Sequence, residues 1–387
     1  MYFTDEPPHI AMLRDALRRF LAAELPPEKA RRCDRDKTFD RASFRRLAEL
    51  GVCGLTIAPE YGGQGRDLVA AVAVIEELAR HGPSLAGPFI HSAFYGGVNV
   101  GESGSEAQKR ELLPRLARGE ITFAYGLSEP DVGGDLASVT TRARREGERV
   151  VIDGTKRWMT GARFADWYWC LVRSDPLAPR YRNLSVVLVP SDAPGITIHD
   201  IEHGGLRYAE TCDVFFDGVS VPLENVVGGP EGWNQGWKKL AGPSLDVEKL
   251  EITACALGLA TGAVELAWRY AQERTQFGRP ICAHQSVRHD LVDARTKLQA
   301  CRHMLYHAAW LASEGRPCPV ETSMAKLFVG DTAVEIALKC QQVMGAYGLA
   351  QDYDMERYVR DLLVMPIVGG SSKMQKNNIA ARLRLPQ

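Results

Sequence analysis

"FAYGLSEPDVGGDLASVTTRA", residues 123–143, is where the chain changes character. Before it, apolar residues recur at helical spacing; after it come short β-branched and aromatic runs. Its centre sets Ser128, Glu129 and Pro130 just ahead of two adjacent glycines, Gly133 and Gly134. Glycine lets backbone amides approach a ligand closely, and a hydroxyl can bond the edge of a heterocycle. Alone, such a stretch also reads as an ordinary polar turn. The next segment, "DGTKRWMTGARFADWYWC" (153–170), reads alone as a hairpin with an aromatic strand, whose Trp and Tyr residues at 167–169 suit a barrel core.

Working outward, residues 1–120 read as helices. Ile10, Leu13, Leu17, Phe20 and Leu21 share one helical face, and "DRASFRRLAELG" ends on Gly51, a helix stop. "APEYGGQG" (58–65) is a glycine-rich loop, after which helical patterning resumes. Residues 121–230 hold the strand-like runs "RVVIDGTKRWMTG", "WYWCLVRS", "LSVVLVP" and "CDVFFDGVSVP", bounded by Gly, Pro, Asp and Asn. Residues 231–387 return to long apolar helices near 244–273, 285–313, 320–346 and 371–383. The expected fold class is α+β: an N-terminal helical domain (1–120), an antiparallel β-barrel or sandwich (121–230) and a C-terminal four-helix bundle (231–387).

The 387 residues allow two or three domains, and a net charge of −1 with no long basic run gives no reason to expect nucleic acid. "RRCDRDK" (31–37) is basic but interleaved by Asp34 and Asp36, as on a solvated surface. Nine scattered cysteines, with no CxxC pair, argue against a disulfide framework and for a reducing, cytoplasmic location. The N-terminus lacks the apolar core of a signal peptide, and no stretch approaches the roughly 18 apolar residues of a membrane span. His303 and His307 have i, i+4 metal spacing, but no third ligand accompanies them, so no metal is expected.

Taken together and in order, these segments resemble the acyl-CoA dehydrogenase family. Its pattern runs approximately Tyr-x-Leu-Thr-Glu-Pro-x-x-Gly-Ser-Asp, then Asn-Gly-x-Lys-x-Trp-Ile-Thr-Asn. "APEYGGQG", "CDVFFDGVSVPLENVVG", "ERTQFGRPICAHQSV", "QQVMGAYG" and "RYVRDLLVMPIVGGSSKMQ" extend the resemblance almost end to end. It implies FAD as cofactor. Leu127 and Ser128 would hold the flavin ring, with Trp158 and Thr160 flanking it and Thr160 near N5. Arg274, Phe277, His284 and Gln285 would reach the FAD of a neighbouring subunit. Gln342 to Gly345 would serve the adenosine end, and Ser371 to Lys373 would cradle the cofactor from the C-terminal loop. Gly134, Asp246, Lys249 and Gly370 would lie on the substrate side. Read singly, Arg274 is also a surface cation and Trp158 a core residue. The chain departs from the family where Gly134 replaces a serine, losing a side-chain hydrogen bond, and where Ala346 replaces a glycine.

The family's chemistry removes a proton α to a thioester and a hydride from the β carbon. The base must be close and largely desolvated. In many members it is a glutamate in the loop where this chain has Gly369, within "PIVGGSS" (366–372). In the isovaleryl-CoA and long-chain branches it stands on a helix resembling "SLDVEKLEITACALGLATG" (244–262), where Glu248 takes its place. Glu248 leads to Ile252, Cys255 and Leu259, an apolar stripe, whereas Glu251 leads to Cys255, Gly258 and Gly262. Ser244 is a cap candidate. By spacing alone, a helix-dipole or ion-pair role for Glu248 stays open. The backbone N–H of Gly369 would still polarise the thioester oxygen, with the FAD ribityl hydroxyl as second donor.

The resemblance thus implies FAD-dependent α,β-dehydrogenation of an acyl-CoA by a homotetramer, with an electron-transfer flavoprotein as acceptor and no membrane. The alternatives are a dehydrogenase of an acyl or aminoacyl group on a carrier protein, a non-catalytic partner subunit, or a flavin monooxygenase on the same fold.

Overall fold

The computed structural model describes residues 6–240 and 243–385, with only the helical backbone described at 243 and 244. The cap expected from Ser244 therefore concerns a side chain outside the described residues. The N-terminal helices are α1 (Pro8–Glu24), α2 (Pro27–Asp36), α3 (Arg41–Ala48), α4 (Leu68–His81) and α5 (Glu106–Ala117). Their starts are set locally. Asp40 accepts from Ser43 N, Asp67 accepts from Ala70 N, and Ser105 and Gln108 form a reciprocal capping box. Between α4 and α5 the chain runs through a π-helix, His91–Val98, flanked by short helical turns.

α2 corrects the reading of 31–37 as a solvated surface. Cys33 and Asp34 are buried, Arg31 pairs with Asp354 at 3.0 Å, and Arg360 pairs with Asp34 at 2.7 Å. Charges of both signs hid an interface, because Arg31 and Asp34 have their partners near the other end of the chain, while Arg32, Arg35 and Asp36 stay exposed as expected.

The middle region forms β1 (Phe123–Gly126), β2 (Arg142–Glu146), β3 (Arg149–Thr160), β4 (Trp167–Arg173), β5 (Leu184–Pro190), β6 (Ile196–Asp200) and β7 (Thr211–Pro222). They build one curled seven-stranded sheet in the order β1-β4-β2-β3-β7-β6, with β5 also on β4. β1 and β2 meet β4 in parallel, so the sheet is antiparallel only in its remaining pairs. Tyr168 and Trp169 are fully buried in it.

The C-terminal helices are α6 (Pro243–Glu273), α7 (Gln285–Ser313), α8 (Pro319–Met344), α9 (Met355–Leu362) and α10 (Ser372–Arg382). α6, α7 and α8 pack together, with α10 against α8. The N-terminal and C-terminal helices are not separate cores: Leu17, Val72, Leu257, Leu305 and Ala333 belong to one apolar cluster. α4 reaches α6 because Gly258 and Gly262 leave room. A Cβ at either position would meet α4 carbonyl oxygens, Glu76 O at 2.4 Å and Arg80 O at 2.6 Å. α4 is also tied to α1 and α7 by buried charge: Arg14 binds Glu76 and Glu77 at 2.8 and 2.9 Å, and from α7 Arg302 pairs with Glu76 at 2.5 Å and Tyr306 donates to it at 2.7 Å.

α6 also corrects the expectation about membrane-length segments. Leu245–Glu273 is long and apolar enough to cross a bilayer, but 83% of its apolar window is buried inside the protein. It is the central helix of the bundle. All nine cysteines are free.

Candidate active site

The two motif segments of the β domain are joined by one buried ion pair. The Lys156 ammonium donates to Glu129 Oε1 at 2.9 Å and to the Leu127 carbonyl at 3.2 Å. Glu129 also accepts from Thr140 N at 2.6 Å, Thr140 Oγ1 at 2.7 Å and Thr141 N at 2.8 Å. Against the cost of burial, Lys156 and these donors hold its carboxyl down to about 2. The pair sets the loop carrying Leu127 and Ser128 beside β3, where Arg157 N donates to Ser128 O at 2.9 Å.

Trp158 sits in the β3 bulge between Lys156 and Met159. Its φ is +63° and it is 53% exposed. A bulky residue held in the left-handed region is strained, and such strain collects at functional sites. The reading of Trp158 as core is excluded. Thr160, two residues on, lies within hydrogen-bonding distance of Thr211 Oγ1 at 3.1 Å.

At the C-terminal loop, Gly369 and Gly370 have φ of +60° and +78°. The Gly369 amide makes no backbone hydrogen bond within the chain among the described residues. A Cβ at Gly369 would meet Ile252 Cγ1 at 3.0 Å. Ile252 follows Glu248 by one helical turn, so the loop position and the helix position converge on one place. Ser371 caps α10 by accepting from Met374 N, which puts Lys373 in its first turn. Gly134 faces Met374, whose Sδ would be 3.3 Å from a Cβ there. The glycine that replaces the family's serine is thus matched to a neighbouring methionine. A helix N-terminus beside a glycine-rich loop suits a phosphate.

Glu248 opens onto a tight crevice walled by Phe94, Val98, Asn99, Tyr125, Val247 and Glu251. It accepts no hydrogen bond among the described residues, and burial pushes its carboxyl up to about 7, only partly opposed by Lys249. Asp246 and Lys249, expected on the substrate side, are paired with each other at 2.7 Å, with Lys249 buried.

Sequence reasoning weighed Glu251 only as a rival to Glu248 and gave it no role. It lies on the Gly258–Gly262 stripe, which is the tightly packed face of α6. It is fully buried, and both its oxygens lack a hydrogen-bond partner. Burial and the neighbouring Glu248 raise its carboxyl well above the ordinary range. Tyr95, Tyr125 and Asn99 were missed. Tyr95 and Tyr125 stack at 3.9 Å, and Asn99 donates to Tyr125. Two of these residues come from or follow the π-helix, whose wider turn breaks the 3.6-residue pattern by which helical faces are read.

The residues expected at the adenine end gather elsewhere. Arg274 lies over the Tyr347 ring at 5.4 Å, next to the turn that begins at Gly345, just past Gln342. Phe277 and Gly278 form the tip of a two-residue hairpin, both with positive φ, and Phe277 is 92% exposed. His284 packs edge-on to Phe277 at 5.9 Å and precedes Gln285, the first residue of α7. Twenty-six residues of α6 and its end separate Glu248 from Arg274, about 39 Å at helical rise. Glu248 and Arg274 therefore stand at opposite ends of α6.

The residues present fit FAD. An exposed indole and a threonine lie on a strand bulge, a glycine loop faces a helix N-terminus, and an arginine stands over an aromatic ring. His303 and His307 show no such convergence: His303 lies beside Gln299, and His307 beside Trp310.

Three family models match the chain: "Acyl-CoA dehydrogenase, N-terminal domain" over residues 7–120, "middle domain" over 124–219 and "C-terminal domain" over 234–384. An acyl-CoA dehydrogenase of Bacillus subtilis is 34% identical, covering 94% of this chain and 95% of that protein. The structure of a glutaryl-coenzyme A dehydrogenase with glutaryl-CoA superposes with a TM-score of 0.93 at 30% identity, covering 99% of this chain and 97% of the other. That of the prolyl acyl carrier protein oxidase AnaB superposes at 0.90 with 26% identity, over 98% and 100%. With three domains matched in order, the chain belongs to the acyl-CoA dehydrogenase family and is an FAD-dependent oxidoreductase acting on CH–CH donors.

Proposed function

We propose that the protein removes the α proton and the β hydride of an acyl thioester, with Glu248 as the base. One observation carries this reading: a carboxylate without hydrogen bonds, raised to about 7, stands one helical turn from Ile252 and the Gly369 loop. A base poised near neutrality combines ionisation with driving force for proton transfer. The Gly369 amide, not engaged by the chain's backbone, is available to donate to the thioester oxygen and stabilise the charge that develops as Glu248 takes the proton. Phe94, Val98 and Val247 exclude water around the carboxylate. Bound FAD supplies the hydride acceptor. Trp158 and Thr160 would position its ring, and Leu127 and Ser128 its edge, on a frame held by Lys156 and Glu129.

The adenine-side residues then serve a second copy of the chain, because Arg274 stands about 39 Å along α6 from Glu248. A homo-oligomer, a tetramer by the family resemblance, completes each site. An electron-transfer flavoprotein takes the electrons, and the location is cytoplasmic. The likeness to a prolyl acyl carrier protein oxidase supports a second reading, in which the thioester is on a carrier protein.

The test is anaerobic flavin bleaching of the purified holoenzyme by straight, branched and amino-bearing acyl thioesters, on CoA and on carrier protein. Bleaching by any of them, lost in Glu248→Gln, is expected. A flavin that none reduces removes the dehydrogenase reading.

A further inference from the structure

We propose that the Glu248 crevice contains a second subsite, built on Glu251, for a hydrogen-bond-donating and preferentially cationic substituent on the acyl group. This rests on the dehydrogenase reading above and deepens it by naming the class of acyl group. Glu251 is fully buried, lines the same crevice as Glu248, and has no hydrogen-bond partner for either oxygen. Residues three apart on a helix have Cβ atoms about 5–6 Å apart. A group bonded to Glu251 would therefore sit near the γ or δ position of an acyl chain whose α carbon faces Glu248.

The surroundings decide its chemistry. On α6 itself Glu251 is faced by Glu248, and the Lys249 ammonium beside Glu248 is held by Asp246 at 2.7 Å. From the π-helix comes Tyr95, from β1 Tyr125, and from the turn after the π-helix Asn99 and Glu102. The Asn99 amide donates to Tyr125 and to the Tyr95 carbonyl, so its N–H groups are engaged. Glu102 is paired with Arg66 at 3.0 Å. The Tyr95 hydroxyl is the neighbouring donor turned towards Glu251, short of a full hydrogen bond, and among the described residues no free cation faces the crevice. A purely alkyl acyl group adds no partner for the Glu251 oxygens. A carboxylate substituent meets two carboxyl groups and no unpaired cation. An ammonium meets both needs: Glu251 loses its proton to solvent as the ion pair forms, and no other bond changes.

The experiment uses the holoenzyme and pantetheine thioesters, the part that CoA and carrier proteins share. Three acyl groups of nearly equal size are compared: 4-(dimethylamino)butyryl, 5-methylhexanoyl and glutaryl. Binding is followed by calorimetry near pH 7 in buffers of different ionisation enthalpy, and reduction by flavin bleaching. The amine thioester is expected to bind at least ~10-fold more tightly than its alkyl isostere, a factor worth 1.4 kcal/mol, and to release a proton. Glu251→Leu should abolish the release and reverse the ranking. Glu251→Gln, a smaller change in shape, should abolish the release with the fold intact. Tighter binding of the alkyl or glutaryl group by the wild type, or an unchanged ranking in Glu251→Leu, overturns the subsite. Absence of bleaching by all three counts against the dehydrogenase reading, and the calorimetric ranking still decides the subsite.

Discussion

Glu129 and Glu251 are both buried glutamates, and they behave in opposite ways. Glu129, in the β domain, accepts four hydrogen bonds, one from Lys156, and is held down to about 2. Glu251, on α6, accepts none and is pushed well up. Desolvation acts on both, so burial alone does not set the charge state; the donors do. A saturated carboxylate holds a frame in place, and an unsaturated one remains available for chemistry. Glu248 is of the second kind, with a wall open to the crevice.

The largest effect that separates the two kinds belongs to Glu248. Glu248→Gln should slow flavin reduction by substrate about 100- to 10,000-fold while flavin content and melting behaviour stay near wild type. Stopped-flow bleaching beside thermal unfolding checks this. A rate near wild type would return Glu248 to a helix-end charge.

Lys156→Met should do the reverse, costing about 3–5 kcal/mol of stability because it leaves the Glu129 charge buried and uncompensated. Denaturant unfolding measures it. Adding Glu129→Gln to that variant should recover part of the loss, since no charge is then stranded. A Lys156→Met protein as stable as wild type would show that the backbone and threonine donors alone hold Glu129.

Gly369→Glu in the Glu248→Gln background tests whether a carboxylate can return to the loop. The positive φ and the 3.0 Å approach to Ile252 predict little rescue, less than about 10-fold. Ile252→Ala in the same protein should increase it by making room. Substantial rescue without Ile252→Ala would show that the loop readily changes conformation.

The smallest effect is in pH. Glu248 is raised from 4.5 to about 7 in the folded protein, so its share of stability is full below about 4.5 and is lost as pH rises to about 7. Glu129, lowered to about 2, has the opposite sign: its share is present above about 4.5 and lost as pH falls towards 2. The rate of flavin reduction should rise with pH through about 7 as Glu248 ionises. Stability–pH curves of wild type and Glu248→Gln should differ between pH 4.5 and 7 and run parallel above it.

The fold was legible because long helical stripes and bounded strand-like runs are local signals. The helices expected at 244–273, 285–313, 320–346 and 371–383 lie within a few residues of α6, α7, α8 and α10. What was not legible depended on partners distant in sequence. The charges of 31–37 are an interface only because Asp354 and Arg360 meet them. The apolar stripe beneath Glu248 drew attention to that residue. The glycine stripe beneath Glu251 is the face on which α4 packs, and that neighbour cannot be read from α6 alone. Trp158 and Phe277 are exposed aromatics with left-handed backbones, and sequence patterning assigns neither property.

The approach of Ile252 to Gly369 also bears on where this chain can carry a carboxylate. On the proposed reading, with the base on the helix, the loop needs no side chain at 369, and its backbone, with φ of +60°, lies where side chains are strained. On that reading an acid at 369 carries a double handicap, a strained backbone and a neighbour that must give by a few tenths of an ångström, so a variant that loses Glu248 regains its carboxylate at 369 more readily when Ile252 is also made smaller.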